Sequence, residues 1–485
     1  MNIKVITRNV GYALLVSALF MLLSVVVSLL RGNDSALAAL LISFIITFTV
    51  GIFPFIFVRK TPAISLQDGY MIIFLSWLLS FVFGMMPYLL WGGPFTVVNA
   101  WFESVSGFTT TGGTILDNIE ALPDSLLFWR SSTHFIGGLG VVVFLLLIIP
   151  SSSPVRLRLT NMELSSLSRD GYRTTTNKTV LIFAWVYLAM NLAAFICYLL
   201  AGMSPFDAIN HAFSVCATGG FSTKNLSIGA FHSNVINLIT IFFMLMSSTH
   251  FAILYMVVVT RSLSPLNNPV LKYYFATLAT LSILVAMSLK YSQVDMTWGK
   301  AFMDGVFQVV CYASTTGFAI TDNSTWPFFA CVLLMFAGIQ CGMAGSTTGG
   351  LKSDRIMILF KSIAQHVKRS IHPNSVTGIR MGRQVLSDED VYPHILYIAL
   401  YASLVIIAFG FCLWLGADGE HALAGTVASV SNLGPAFGEI GTYGSYNAEP
   451  TGVKLVYTAC MFLGRLEIYP VLVVFSLIFS RNKKF

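Results

Sequence analysis

Ten long apolar segments run through this 485-residue chain, and they constrain its fold more than any other feature. Apolar residues make up 56% of the sequence and charged residues only 10%, which leaves too little polar surface for a water-soluble fold. A helix needs roughly 20 residues to cross a hydrocarbon core about 30 Å thick. We therefore predict an all-α integral membrane protein with crossings at residues 9–30, 36–58, 69–91, 126–150, 179–200, 234–260, 273–289, 326–342, 394–415 and 453–479.

Four shorter apolar stretches alternate with these crossings, at residues 97–108, 206–217, 301–314 and 422–430. They are too short to span a bilayer and have the length of re-entrant helices. Each is followed by a short signature that contains glycine. The four signatures are Thr110-Thr111-Gly112, Thr218-Gly219-Gly220, Thr315-Thr316-Gly317 and Asn432-Leu433-Gly434.

The order of crossing, short helix, glycine signature and crossing occurs four times, which indicates internal repeats around one pathway. The five-residue sequence at 131–135, Ser-Ser-Thr-His-Phe, also returns at 247–251, after the second signature. We predict an N-terminal transmembrane hairpin at 1–66 and four pseudo-symmetric pore repeats around one pore. These are repeat 1 at 67–152, repeat 2 with its preceding cytoplasmic loop at 153–262, repeat 3 at 263–390 and repeat 4 at 391–485.

Four glycine loops in one pathway suit the binding of a dehydrated cation. Backbone carbonyls can replace the water ligands of an alkali ion without adding fixed charge, and glycine reaches the dihedral angles that let them point inward. The threonines before the glycines add hydroxyl oxygens or brace the loops. A lone glycine would more often serve helix packing, but four copies in register favour a filter. Near the starts of the short helices, Glu103, Asp207 and Asp304 are expected to cap helices or to add charge at the outer mouth.

The charge pattern predicts the orientation of the chain. If the N-terminus is cytoplasmic, 21 of the 28 Lys and Arg residues lie on the inner side, as the positive-inside rule requires. Both termini are then cytoplasmic, and the glycine signatures face outward. The net charge of +7 thus reflects membrane topology and not a nucleic-acid partner. The basic stretches at 151–178 and 352–390 suit membrane lipid headgroups, a docked regulatory protein or both.

A polar run at residues 338–350 interrupts the second crossing of repeat 3, where a continuous helix should pass beneath the signatures. Its density of small polar residues disfavours helix, and irregular backbone at this depth is tolerated where it lines a cavity. We predict a gating loop formed by Gly345, Ser346, Thr347, Thr348, Gly349 and Gly350. The run resembles a phosphate-binding loop, but Leu351 separates the last glycine from Lys352, so we predict no nucleotide on this chain.

Arg465 lies about halfway along the last predicted crossing. An arginine at the centre of a membrane helix costs roughly 2.5 to 3.5 kcal/mol, so it should face a cavity or a partner. One interpretation pairs it with Glu467 or with a nearby carbonyl group. The other, which we favour, places it below the signatures, where it repels cations and shares gating with the loop.

The four signatures together resemble those of the Trk/Ktr/HKT superfamily of potassium transporters, over essentially the whole chain. The resemblance implies K+ as the transported ion, a homodimer with one pore per protomer, the bacterial inner membrane and a cytosolic, TrkA-like nucleotide-binding ring that regulates gating. It places the filter glycines at Gly112, Gly220, Gly317 and Gly434, and a glycine at position 112 is typical of potassium selectivity in this superfamily. The fourth signature departs from the pattern by having Asn432-Leu433 in place of threonine.

A gated, channel-like uptake protein accounts for the repeats, the glycines, the loop and Arg465 together. A secondary transporter that couples K+ to H+ or Na+ is the alternative, although no carboxylate cluster suggests a coupling site. An enzyme is the least supported class, because the sequence contains no nucleophile and base pair, metal motif or cofactor fingerprint.

Overall fold

The computed structural model describes residues 2–58, 62, 64–147, 176–292, 295–373, 378–382 and 384–480. Helices dominate these ranges, which confirms the predicted all-α class. In the described part of the chain, strands occur in one antiparallel hairpin, β1 (Ile379–Met381) and β2 (Gln384–Leu386), with Ile379 opposite Leu386. The sequence analysis did not predict this hairpin, which lies in the basic stretch at the end of repeat 3.

The first two helices, α1 (Ile3–Leu30) and α2 (Leu37–Phe57), form the predicted N-terminal hairpin. They approach closely because Gly11 has no side chain: a Cβ atom at Gly11 would lie 2.7 Å from the carbonyl oxygen of Gly51. In the turn between them, Asp34 accepts hydrogen bonds from the backbone N of Ser125 at 3.1 Å and from its hydroxyl at 2.9 Å. These bonds attach the hairpin to repeat 1.

The remaining helices follow the predicted order of crossing, short helix and crossing. Repeat 1 contains α3 (Leu66–Gly84), α4 (Met86–Trp91), α5 (Val97–Phe108) and α6 (Asp124–Leu147). Repeat 2 contains α7 (Thr176–Leu200), α8 (Pro205–Ala217), α9 (Asn234–Ser248) and α10 (Phe251–Thr260). Repeat 3 contains α11 (Pro269–Ser292), α12 (Trp298–Ala313), α13 (Phe328–Gln340) and α14 (Ser353–Ile371). Repeat 4 contains α15 (Asp388–Trp414), α16 (Gly419–Ser431), α17 (Thr451–Arg465) and α18 (Tyr469–Ser480).

Six helical segments are long and apolar enough to cross a membrane, and two bent pairs of helices bring the number to eight, counted over the described residues. The six are Ile3–Leu30, Leu37–Phe57, Gln67–Trp91, Leu181–Leu200, Pro269–Ser292 and Asp388–Trp414. The four short helices α5, α8, α12 and α16 coincide with the predicted re-entrant stretches. The chain is therefore a multi-pass membrane protein.

Two crossings that the sequence analysis treated as continuous are sharply bent. In the predicted crossing 234–260, α9 and α10 meet at 101°, and in 453–479, α17 and α18 meet at 103°. The first break follows from Thr249, whose backbone is extended, and from His250, whose side chain accepts a hydrogen bond from the N–H of Ala252 and caps α10. At the second break, Glu467 and Ile468 have positive φ angles of 57° and 52°.

Two further predicted crossings differ from the observed helices. Helix α13 ends at Gln340, two residues before the predicted end of crossing 326–342. Helix α6 is described as far as Leu147, so the last residues of crossing 126–150 and nearly all of the basic stretch 151–178 lie outside the described residues. The boundaries given for the N-terminal hairpin and the four repeats stay predictions.

We expect Gly11→Ala to destabilise the N-terminal hairpin, because its methyl group would meet the Gly51 carbonyl oxygen and overpacking costs about 1 to 3 kcal/mol. Gly410→Ala is the matched control, since this glycine of α15 has nothing within 4 Å of its Cβ position. Alanine there should favour the helix by roughly 0.5 to 1 kcal/mol. Thermal unfolding in detergent measures both. Equal midpoints for the two variants would contradict the close packing of α1 on α2.

Candidate ion pathway

The four short helices end with the same backbone geometry. In each signature the first residue adopts a left-handed conformation, with φ of 52° at Thr110, 58° at Thr218, 52° at Thr315 and 55° at Asn432. The N–H of the next residue then bonds to a carbonyl of the last helical turn, at 2.8 to 3.0 Å. The four bonds are Thr111 N to Ser106 O, Gly219 N to Ser214 O, Thr316 N to Cys311 O and Leu433 N to Ala428 O.

This conformation is unusual for the residues that adopt it. Asparagine tolerates a left-handed backbone, but a β-branched residue there is an outlier, and three of the four are threonines. Strained residues of this kind persist only when their surroundings fix them, and they concentrate at functional sites. The glycine two positions later also has a positive φ, of 84° at Gly112, 86° at Gly220, 78° at Gly317 and 84° at Gly434. We call these four residues the ring glycines.

The ring glycines contact one another's loops in a closed cycle. A Cβ atom at Gly317 would lie 2.8 Å from the carbonyl oxygen of Leu433, which precedes the ring glycine of repeat 4. The other three glycines make still closer approaches of the same kind: Gly112 to the Gly219 oxygen, Gly220 to the Thr316 oxygen and Gly434 to the Thr111 oxygen. Repeat 1 therefore contacts repeat 2, and so on until repeat 4 contacts repeat 1. The structure brings all four predicted signatures together in one ring.

One cavity, of about 150 Å³, is lined by all four ring glycines, together with side chains that include Arg130 and Tyr446. We call the face of the ring that carries this cavity the ring side. The opposite face carries the predicted gating loop and is called the loop side. The hydroxyl of Tyr446 donates a hydrogen bond of 2.7 Å to the Gly434 carbonyl, so the cavity wall also holds one ring glycine.

Side chains of the signatures form hydrogen bonds that stabilise the ring. Asn432 donates hydrogen bonds to the Thr111 hydroxyl at 3.1 Å and to the Met461 carbonyl at 2.8 Å, which ties repeat 4 to repeat 1. The hydroxyls of Thr316 and Ser314 lie 2.7 Å apart. The departure from threonine at position 432 thus supplies an amide that bridges two repeats, a role that the sequence analysis did not foresee.

The position nine residues before each ring glycine differs between the repeats, and in repeats 1 to 3 its side chain braces the loop that follows. Glu103 accepts from the Thr114 hydroxyl at 3.0 Å and from the Ile115 N–H at 3.1 Å. A ring nitrogen of His211 lies 2.9 Å from the Ser222 hydroxyl, and the Gln308 amide donates to the Thr321 carbonyl at 3.5 Å. In repeat 4 the position is Gly425, whose missing side chain leaves room for the hydroxyl of Tyr457.

Glu103 and Arg130 form a buried ion pair on the ring side. Their side chains are 0% and 1% exposed, and Arg130 Nη2 lies 2.7 Å from Glu103 Oε1. The guanidinium carbon of Arg130 lies 3.9 Å from the centre of the Phe221 ring, and Nη1 donates to the Ser222 carbonyl at 3.4 Å. The pair therefore joins the loop of repeat 1 to that of repeat 2.

This pair corrects the expectation that Glu103 caps a helix. Helix α5 is capped instead by Thr96, whose hydroxyl accepts from the N–H of Asn99. The sequence analysis did not single out Arg130 and missed its role. The available signal was its place in the first turns of a predicted crossing, where an unpaired arginine would be costly. The other two carboxylates differ: Asp207 lies in the first turn of α8 and accepts from the Ser204 hydroxyl at 2.8 Å, whereas Asp304 lies within α12.

On the loop side, residues 341–352 form an irregular segment between α13 and α14. The Thr347 hydroxyl donates to the carbonyls of Cys216 at 3.1 Å and Ser247 at 3.2 Å. The N–H of Phe251 donates to the Gly345 carbonyl at 3.1 Å, so the break between α9 and α10 lies directly against this segment. This segment overlaps the interruption predicted at 338–350, although the helix continues to Gln340.

The loop contacts the ring through two of the strained threonines. The Thr218 hydroxyl donates to the Thr347 carbonyl at 3.1 Å, and the Thr315 hydroxyl accepts from the Gly349 N–H at 3.1 Å. Ser346 and Thr348 bond to each other through their hydroxyls at 2.8 Å. Lys352, also buried, donates to the Thr348 carbonyl. The predicted loop residues 345–350 therefore lie immediately beside the ring.

Arg465 is the last residue of α17 and is 5% exposed. Its Nη1 donates to the Thr347 carbonyl at 2.8 Å, and its Nη2 to the Gly137 carbonyl at 3.4 Å. The alternative partner considered from the sequence, Glu467, binds Arg355 instead, at 2.6 Å. Arg465 thus bonds to neighbouring carbonyl groups, which was one of the partners considered from the sequence. One of these carbonyls, that of Thr347, belongs to the predicted gating loop, so the arginine also lies where the gating hypothesis needs it.

The family model described as TrkH, a cation transport protein, matches residues 37–485. The chain is 32% identical over 495 residues to the Trk system potassium uptake protein TrkH of Vibrio parahaemolyticus, an alignment that covers 99% of this chain and all of the relative. It is 30% identical over 487 residues to the Trk system potassium uptake protein TrkG of Escherichia coli, with 99% of each chain covered.

The fold agrees with a solved structure of the same kind. The crystal structure of the potassium transporter TrkH from Vibrio parahaemolyticus superposes with a TM-score of 0.88 at 30% sequence identity, and the match covers 98% of both chains. The described fold as a whole therefore matches a known architecture. The chain belongs to the TrkH family of cation transport proteins.

Proposed function

We propose that this chain is the membrane subunit of a Trk-type potassium uptake system, and that it conducts K+ through the ring of four glycine loops. The observation that carries the proposal is the closed cycle of contacts among Gly112, Gly220, Gly317 and Gly434. The names of the relatives, which are potassium uptake proteins, support K+ as the ion. We assign the ion ligands to the three signature residues of each repeat.

The physical basis is the replacement of hydration water. An alkali cation leaves water readily only where oxygen atoms take over its coordination, and carbonyl groups do so without binding the ion too tightly to release it. All four short helices point their C-terminal ends at the ring, where the helix dipole contributes partial negative charge. Because glycine permits the positive φ at the ring positions, the backbone itself supplies the ligands.

The proposed orientation places the ring side toward the periplasm of a bacterial inner membrane. Both chain termini then lie in the cytoplasm, as the distribution of Lys and Arg requires. The loop side faces inward, and potassium passes the ring before it meets the loop.

We assign gating to the loop at 345–350 together with Arg465. The guanidinium bonds to the Thr347 carbonyl, so a positive charge and a segment of backbone lie together beside the ring. A positive charge in this position repels a cation that has left the ring. Opening requires the loop to withdraw from Thr218 and Thr315.

Helix α14 offers a route from a cytosolic regulator to this loop. It follows the loop directly, and Asp354 in its first turn accepts from the Ala344 N–H at 2.8 Å. Lys368 and Arg369 lie in its last turn, where they suit an acidic surface or lipid headgroups. We therefore propose a TrkA-like nucleotide-binding ring as the partner and a homodimer as the assembly. The relatives are named as parts of a Trk system, which supports a partner.

We expect the full-length chain in liposomes to carry K+ and Rb+ faster than Na+, with flux that follows the K+ gradient alone. Gly112→Ser should reduce the ratio of K+ to Na+ flux by about tenfold, or roughly 1.4 kcal/mol. The reason is steric: a Cβ at this position meets the Gly219 carbonyl oxygen, and φ is 84°. Flux assays with Rb+ and Na+ measure the ratio.

Gly416→Ser is the matched control for Gly112→Ser. Its φ of 92° is equally unfavourable for a side chain, but nothing lies within 4 Å of its Cβ position. It should therefore leave selectivity unchanged. An unchanged ratio in Gly112→Ser would remove the filter assignment, and flux that requires a proton or sodium gradient would favour the secondary transporter.

For the gate, we expect Arg465→Ala to raise K+ flux several-fold in the absence of the cytosolic partner, because the loop loses both a hydrogen-bond donor and a repelling charge. Arg465→Gln separates these effects, since it keeps an amide donor without the charge. Single-channel or liposome flux recordings compare the two. Flux and gating equal to those of the unmodified chain in both variants would exclude Arg465 from the gate.

For the brace, we expect Glu103→Gln to destabilise the chain by about 3 to 5 kcal/mol, because it leaves the buried charge of Arg130 unpaired. The double variant Glu103→Gln with Arg130→Met should recover much of this loss. Asp124→Asn is the control, since the Arg31–Asp124 pair is 51% and 36% exposed and such pairs contribute at most about 1 kcal/mol. Thermal unfolding provides the measurement, and similar losses for Glu103→Gln and Asp124→Asn would contradict a buried brace.

A further inference from the structure

A second cavity on the ring side lies between the start of α9 and helix α12, and it has a volume of about 630 Å³. Its polar lining consists of His232, Asn234, Asn237, Lys300, Asp304 and Thr321. The cavity shares no lining residue with the one above the ring glycines. A hydrogen bond of 3.0 Å from the Thr442 hydroxyl to the Thr321 carbonyl connects the two walls, because Thr442 lines the cavity above the ring.

Two buried oxygen atoms in this lining lack a hydrogen-bond partner within the described residues. Asp304 is 4% exposed and its Oδ2 is unpartnered, and so is the hydroxyl oxygen of Thr321. A buried carboxylate oxygen without a partner is costly, since neither water nor a donor offsets its desolvation. Asp304 also lines the cavity, so a ligand there would offer its carboxylate the partner that the described residues do not.

The equivalent positions in the other repeats show that Asp304 is exceptional. Thirteen residues before the ring glycine lie Asn99, Asp207, Asp304 and His421 in repeats 1 to 4. Asn99 accepts from the Lys454 ammonium at 3.0 Å, Asp207 from the Thr223 hydroxyl at 2.6 Å, and His421 lies 3.0 Å from Glu449. Three of the four positions are therefore paired within the protein. In repeat 3 a cavity takes the place of the partner.

We propose that this cavity binds one monovalent alkali cation, with the Asp304 carboxylate as its principal ligand. Thr321 and the amide oxygens of Asn234 and Asn237 supply neutral oxygen donors of the kind that alkali ions accept. Asp304 is the one carboxylate in the lining, so it compensates a single positive charge, for which an alkali ion competes with Lys300. Calcium sites usually combine several charged and neutral oxygens, so a divalent ion would be undercompensated.

A cation in this cavity would affect the loop of repeat 3 through the brace formed by Gln308. Gln308, nine residues before the ring glycine, donates to the Thr321 carbonyl, so a ligand at Thr321 touches the brace of this repeat. The binding site itself does not depend on the proposed function of the ring. Its effect on conduction does rest on that function, because the brace positions a loop that matters for conduction only if the ring conducts ions.

Lys300 is the competing occupant. It lies one helical turn before Asp304 in α12, is exposed and lines the same cavity, so its ammonium group has access to the carboxylate. If Lys300 fills this role in solution, the cavity holds no free cation. The experiment must therefore distinguish an alkali ion from the side chain.

Anomalous X-ray diffraction from crystals of the full-length chain grown in RbCl makes this distinction, since rubidium scatters anomalously and nitrogen does not. We expect a rubidium peak within coordination distance of the Asp304 carboxylate, separate from any peak in the ring. Replacement of RbCl by MnCl2, whose divalent ion also scatters anomalously, should leave the cavity without a peak. The Lys300 ammonium bound to Asp304 with no rubidium beside it would overturn the proposal, and so would a manganese ion in the cavity.

Asp304→Asn should abolish the cavity peak and keep the ring peaks. Asp207→Asn is the matched control at the equivalent position of repeat 2, and it should keep both. If Asp304→Asn does not fold, Thr321→Val provides a second test, with an expected loss of occupancy at the cavity alone. Ring peaks without a cavity peak in the unmodified chain would reject this site and leave the proposed function intact. A cavity peak without ring peaks would support this site and contradict the proposed function.

Discussion

The ends of four short helices govern this structure. A helix that stops inside a membrane leaves carbonyl groups unpaired where no lipid can satisfy them. Here each helix turns through a left-handed residue, recovers one hydrogen bond to its last turn and then continues as an extended loop. The loops meet, so that polar backbone faces polar backbone around a common axis instead of hydrocarbon. The rest of the fold, from the crossings to the ring-side braces, surrounds and fixes these four ends.

The backbone around the ring is nearly fourfold, whereas the side chains that hold it are not. Glu103, His211 and Gln308 occupy equivalent positions and brace their loops through an ion pair, an imidazole and an amide. The repeats thus share one backbone geometry at the ring, while the chemistry of the brace differs between them. Buried polar networks allow this, because the backbone requires only that each group find a partner. On the loop side the difference between repeats is larger, since among the described residues repeat 3 alone contributes a long irregular segment.

Much of this was accessible from the sequence, because hydrophobic length and glycine position have direct structural meaning. The short helices and the ring followed from segments too short to cross a membrane and from glycines in register. The bends at Thr249 and Glu467 did not, because each depends on tertiary contacts: His250 caps a new helix beside the loop, and Glu467 is drawn to Arg355. The partner of Arg130 was equally hidden, since 27 residues separate it from Glu103. Asp304 looked like a helix cap, and only the empty space beside it in three dimensions sets it apart.

The threonines of the ring bond to the loop as well as to their own helices, and this has a thermodynamic consequence. A loop that leaves its position gives up the hydrogen bonds with Thr218 and Thr315, the same residues whose strained backbone shapes the ring. An ion that stabilises one arrangement of those residues must therefore shift the position of the loop, and the loop must shift the affinity of the ring by the same factor. If the ring selects the ion and the loop gates it, as we propose, then selectivity and opening depend on the same equilibrium.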